Sequence, residues 1–132
     1  MNRVFAAGLF LIAGFGVVVT LTKRPEPPKQ QTRAPITEDM AQINQGKKLF
    51  ARNCMRCHGP EATGTQIGPP LVHKVYEPSH HGDAAFFMAV SRGVRSHHWK
   101  FGDMAPVPGV KPEEVALIVG YVRWLQRKAG IF

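Results

Sequence analysis

Cysteine is almost missing from this chain: Cys54 and Cys57 are the only two in 132 residues. Zinc sites that need two Cys/Cys pairs are thereby excluded, and only scattered histidines could complete a mixed site. No stretch alternates apolar and polar residues in the manner of a half-buried strand, and no segment repeats, so neither a sheet nor a repeat architecture is expected. Acidic residues are also few, nine Asp plus Glu against 17 Lys plus Arg, for a formal net charge of +8. No set of acid and base side chains points to catalysis by this chain alone.

What is present is divided unevenly along the chain. Val4 to Thr22 is 19 residues without a charge. As a helix rising ~1.5 Å per residue it would cover roughly 28 Å, about one hydrocarbon core. Residues 1–22 are therefore expected to be a single N-terminal transmembrane anchor. A cleaved signal peptide is the competing reading, because Arg3 makes a small basic head, yet no small-x-small cleavage site follows. Residues 23–35 hold four prolines in 13 positions and read as an extended stalk with a reach of roughly 40 Å. Residues 36–132 remain for one domain, which is small for a core built from protein alone.

That domain reads as all-α. Thr37 can cap a helix containing Met40, Ile43, Leu49 and Phe50 that ends near the cysteines. Asp83 can cap a second, stopped by Gly93. The third has Pro112 in its first turn, Glu113 and Glu114 at the positive dipole end, Arg123, Arg127 and Lys128 toward the other, and Gly130 as a stop. Val115, Ile118, Val119, Val122 and Leu125 make its apolar face, and Leu117, Tyr121 and Trp124 widen it.

Both cysteines fall inside NCMRCHGP, residues 53–60, with His58 directly after the second. Three chemistries compete for that stretch. Thiol–disulfide exchange uses the spacing but needs no histidine and expects a strand before it, where this chain has the helical AQINQGKKLFARN. A zinc site would use two of four ligands. A c-type haem uses every residue: two thioethers tether the porphyrin and the adjoining imidazole binds iron, making His58 the proximal ligand. A buried haem would also supply apolar bulk to a small domain.

The chain resembles the small class I cytochromes c, of the membrane-anchored bacterial type, from about Met40 to Leu125. The resemblance is carried by GKKLFARNCMRCHG, IGPPL, GDMAPV and EEVALIVGYVRWL in that order. It implies three main helices and loops around one covalent haem c, attached at Cys54 and Cys57. It also implies that the first and last helices cross, with Gly46 and Gly120 allowing close approach and Phe50 packing on Tyr121. The Gly-Pro-x-Leu segment matches Gly68 to Leu71, so Pro69 would offer its carbonyl to His58, with Leu71 beside the ring. On the distal side Met104 is the favoured ligand, 46 residues after His58, although Ala105 stands where the family usually has proline. Met88 is the rival but sits at helical spacing and reads as core. Trp99 is expected at the haem edge, donating its indole N–H to a propionate or packing against the ring. His73 and the pairs His80/His81 and His97/His98 read as polar loop residues, with an iron ligand or a second metal site, copper included, as the alternatives.

The function expected is electron transfer in a bacterial respiratory or related periplasmic chain, with the haem domain outside the cytoplasmic membrane. A haem subunit of a larger oxidoreductase and a gas- or metal-binding sensor are the competing functions. The positive-inside bias of Lys23, Arg24 and Lys29 over Arg3 opposes that orientation, but the resemblance to bacterial cytochromes c implies that the thioethers form outside the membrane, and this outweighs it. Past the apolar run, 16 basic against nine acidic residues point to a redox partner with an acidic docking face, and not to nucleic acid. Lys47, Lys48, Arg52 and Arg56 are expected to ring the haem edge.

Overall fold

Apolar side chains at Ile43, Leu49 and Phe50, with Gly46 between them, give the first helix one buried stripe. The computed structural model describes residues 39–132. The expected anchor and stalk, and Thr37, lie outside the described residues. Helix α1 is Met40–Asn53, α2 is the single turn Met55–His58, α3 is Asp83–Arg92 and α4 is Pro112–Lys128, with 3₁₀ turns at Pro60–Ala62 and Lys74–Tyr76. Among the described residues there is no strand, only an isolated antiparallel bridge between Val94 and Met104, so the domain is all-α. None of these helices is long and apolar enough to cross a membrane.

The cap of α1 is Asp39, whose carboxylate accepts from the Ala41 N–H at 2.9 Å. Aspartate satisfies an orphan first-turn donor as well as Ser or Thr does, so the expected cap moves two residues along from Thr37. At α3 the cap position belongs to Gly82, and Asp83 is the first helical residue. The Asp83 carboxylate instead accepts from Arg123 Nε at 2.8 Å. Gly93 ends α3 at φ 77°, in the left-handed region open to glycine.

Helices α1 and α4 cross where Gly46 meets Leu117. A Cβ on Gly46 would lie 2.1 Å from the Leu117 carbonyl oxygen, so only glycine permits the approach. Gly120 plays no such part, since a Cβ there would meet nothing within 4 Å. Next to the crossing the Phe50 and Tyr121 rings lie 5.7 Å apart and tilted by 60°, both nearly free of solvent. Burial of each ring contributes about 2 kcal/mol of hydrophobic stabilisation. Arg52 is paired with Glu114 across the same crossing at 3.2 Å.

The apolar face of α4 carries an unexpected polar centre. Arg123 and Gln126 are both buried, at 7% and 0% exposure. Arg123 Nη1 donates to the Tyr76 carbonyl and to Gln126 Oε1, both at 2.6 Å, and Nη2 donates to the His81 carbonyl. Gln126 Nε2 donates to the Leu71 carbonyl at 2.8 Å and to that of Tyr76 at 3.1 Å. Two side chains of one helix thus satisfy carbonyls of segment 71–81 that its single 3₁₀ turn, Lys74–Tyr76, leaves without a backbone partner. Arg123 is therefore a tertiary anchor and not a dipole-matching surface charge.

Candidate functional site

Helix α2 carries the motif, and a loop is strapped onto it from below. Thr65 Oγ1 donates to the Cys57 carbonyl at 2.6 Å, and the Thr65 N–H donates to the Gly68 carbonyl at 2.9 Å. Gly68 presses so closely on Cys57 that a Cβ would come within 2.6 Å of the Cys57 carbonyl oxygen. Beyond it, the Leu71 and Val72 N–H groups donate to the Ala62 carbonyl at 2.8 and 3.2 Å. Held at both ends, the loop presents the Pro69 carbonyl to His58 Nδ1 at 2.9 Å. A carbonyl can only accept, so Nδ1 carries the proton and the Nε2 lone pair is left for a ligand bond.

His58 opens onto a cavity of about 460 Å³. Its floor and walls are mainly apolar: Ile67, Phe86, Val90, Val107, Ile118 and Val119 all line it. Each residue assigned to the cofactor from the sequence, Cys54, Cys57, His58, Pro69, Leu71, Trp99 and Met104, borders this one cavity. That volume is typical of a cofactor pocket, and the apolar lining suits a porphyrin face.

Protonation states agree with that use. Burial lowers the His58 pKa below the ordinary histidine value, against an opposing contribution from the Pro69 hydrogen bond, which favours the neutral, ligand-competent imidazole. Burial, assisted by Cys57, pushes the free Cys54 thiol up to about 11. Reactive dithiols have lowered thiol pKa values, so thiol–disulfide exchange is disfavoured.

Met104 is half-buried and fixed through its backbone, which exchanges two hydrogen bonds of 2.9 Å with Val94. Met88 departs from the core position expected of it: it is 54% exposed and also borders the cavity, so two methionines reach the site. His81, His97 and His98 border it too, whereas His73 and His80 do not.

Trp99 Nε1 donates to Tyr76 Oη at 3.1 Å, a partner that leaves packing of its ring as the contact offered to the cavity. Its ring packs edge-on to His73 at 5.0 Å and forms part of the cavity wall. Lys47, Lys48, Arg52 and Arg56 are all exposed but none borders the cavity, and Arg52 is instead paired with Glu114 of α4. The residues missed from the sequence are Tyr76, Arg123 and Gln126. The only signal was a charged and an amide side chain three apart on the apolar face of the last helix.

The family model described as Cytochrome c matches residues 43–126. The chain belongs to the cytochrome c family. Its cofactor is one covalent haem c, for which Cys54, Cys57 and His58 provide the attachment motif, and membership makes this a haem-based electron-transfer domain. No solved structure matches the chain. Within this cytochrome c domain the match begins in α1 and ends at Gln126, so it includes both the Pro69 loop and the residue that anchors it from α4.

Proposed function

We propose that this protein is a class I cytochrome c of the membrane-anchored bacterial type: a one-electron carrier, not an enzyme, with its haem domain in the periplasm and a place in a respiratory or related redox chain. The observation that carries the reading is the His58 Nδ1 bond to the Pro69 carbonyl, which aims a neutral imidazole from a covalent attachment motif into an apolar cavity bordered by Met104. Bound haem supplies a ferrous/ferric couple. The chain's part would be to hold the haem iron through His58 and Met104 and to exclude water, with the Val94–Met104 bridge restraining the loop that carries Met104. A thioether donor favours ferrous iron relative to a second imidazole and so raises the potential, which suits delivery to an acceptor late in a chain. The uncharged run 4–22 supports tethering, and the excess of basic residues supports an acidic redox partner, whose electron-transfer rate with this protein should fall as salt is raised.

The test is the near-infrared spectrum of the ferric protein beside that of Met104→Ala. Sulphur ligation is expected in the wild type, and its loss in Met104→Ala should be accompanied by carbon monoxide binding to the ferrous form and a lower potential. If the sulphur band survives in Met104→Ala, Met88 is the ligand. If the wild type lacks the band, either a histidine that borders the cavity is the distal donor or the distal site is open, and carbon monoxide binding to the wild-type ferrous form separates the two.

A further inference from the structure

We propose that His80, His81 and His98 form a second metal site, separate from the haem iron, that takes one borderline divalent ion, Zn(II) or Cu(II). One ligand atom from each of the three lies within 4.8 Å of the others. The ring centroids are 4.4 Å apart for His80–His81 and 5.1 Å for both His80–His98 and His81–His98. Among the described residues no carboxylate forms an ion pair with any of them, so this is a group of imidazoles brought together without an anion to explain it.

The rings are prepared as ligands in the way metal-binding histidines are. His81 Nδ1 donates to the Val75 carbonyl at 2.7 Å, which fixes the tautomer and leaves the Nε2 lone pair free. The backbone behind His81 is itself held, because its carbonyl accepts from Arg123 Nη2. His97 stands at the rim, its ring 4.3 Å from that of His98 and its Nδ1 donating to the Arg95 carbonyl at 2.8 Å. Imidazole nitrogen suits zinc and copper over hard cations such as magnesium or calcium. Three nitrogens at about 2.0–2.1 Å from a tetrahedral ion lie about 3.3 Å from one another, so the site closes by small rotations of the exposed His80 and His98 around the half-buried His81. A fourth position stays open to solvent or to His97.

The placement has a consequence for the domain. His80 and His81 belong to the turn before α3, and His98 to the excursion between Val94 and Met104. An ion held by all three would tie the loop that ends in Met104 to a segment anchored on α4. The proposal requires that the distal haem ligand be neither His81 nor His98, as holds where Met104 is that ligand.

The experiment uses the full-length, haem-loaded ferric protein stripped with chelator and titrated calorimetrically with Zn(II), with electron paramagnetic resonance of a sample carrying one equivalent of Cu(II). One Zn(II) per chain is expected, with a raised midpoint of thermal unfolding and a copper signal split by imidazole nitrogens. His80→Ala and His98→Ala should each weaken Zn(II) binding at least tenfold, and the double variant should abolish it. His73→Gln, an exposed histidine outside the trio, should stay within twofold of wild type. His80→Ala and His73→Gln, neither of which borders the haem cavity, should keep the wild-type haem spectrum, which also shows that they fold. Failure of the wild type to bind Zn(II), binding that persists in the double variant, or equal weakening in His73→Gln would overturn the site. A changed haem spectrum in His80→Ala would overturn it as well, by assigning that ring to the haem.

Discussion

Replacing Arg123 by Met should be the most damaging single change away from the cofactor motif. Methionine keeps most of the stem's packing but withdraws the guanidinium from the carbonyls of Tyr76 and His81 and from Gln126 Oε1. The Tyr76 carbonyl retains Gln126 Nε2 at 3.1 Å, so two acceptors lose their partner. An unsatisfied buried acceptor costs about 1–3 kcal/mol, which puts the variant about 3–4 kcal/mol below wild type. At about 4–8 °C per kcal/mol for a domain of this size, the midpoint of thermal unfolding should fall by at least 12 °C. Asp83→Asn isolates the ion pair, whose aspartate side chain is 64% exposed, and an exposed pair contributes at most about 1 kcal/mol. Thermal unfolding followed by circular dichroism and by the haem absorption band measures both. The reasoning is refuted if Arg123→Met shifts the midpoint by less than about 4 °C. It is equally refuted if Asp83→Asn is as costly, since the anchor would then be the charge pair and not the carbonyls.

The remaining expectations are simpler. Gly46→Ala forces a methyl against the Leu117 carbonyl oxygen and should cost about 1–3 kcal/mol in chemical denaturation, as overpacking does, whereas Gly120→Ala meets nothing and should stabilise α4 by up to about 1 kcal/mol. Haem should stay with the wild-type chain in denaturing electrophoresis because the thioethers are covalent. Cys54→Ser or Cys57→Ser should lower the yield of haem-stained protein, and haem that migrates away from the wild-type chain would refute covalent attachment. Gly68→Ala should also lower that yield while leaving both cysteines intact, because its methyl displaces Cys57 or the Pro69 carbonyl; normal yield and an unshifted His58 ligand spectrum would show that the loop has room to move.

Legibility in the sequence followed the range of the interaction. Helix existence and the α1–α4 crossing depend on local periodicity and on one glycine whose neighbour the family order supplies, so Met40–Asn53, Asp83–Arg92 and Pro112–Lys128 were readable in outline. Caps were less so, because Thr37 and Asp39, or Gly82 and Asp83, are each able to end a helix, and the choice falls to what else the side chain can bind. Asp83 is the clear case: its carboxylate is drawn away from capping by an arginine 40 residues later. Trp99 is another, its donor taken by Tyr76 across 23 residues. Such pairings depend on tertiary approach and leave no spacing to read.

The same distance dependence explains why the last helix contributes more to the site than its apolar pattern indicates. A haem-sized cavity needs walls, and in a domain this small some of them must be irregular backbone whose polar groups cannot all reach water. Segment 71–81 is such a wall: Leu71, Tyr76 and His81 all border the cavity. Their carbonyls accept from Arg123 or Gln126, so the wall is held from behind by α4. The proximal loop is anchored at the same place, since Leu71 follows Pro69 by two residues and its carbonyl is fixed by Gln126 while its N–H is fixed by Ala62. Any change that loosens α4 should therefore reach His58 through Leu71 and Pro69 before it unfolds the domain, because the bond that orients the imidazole is part of the same chain of hydrogen bonds.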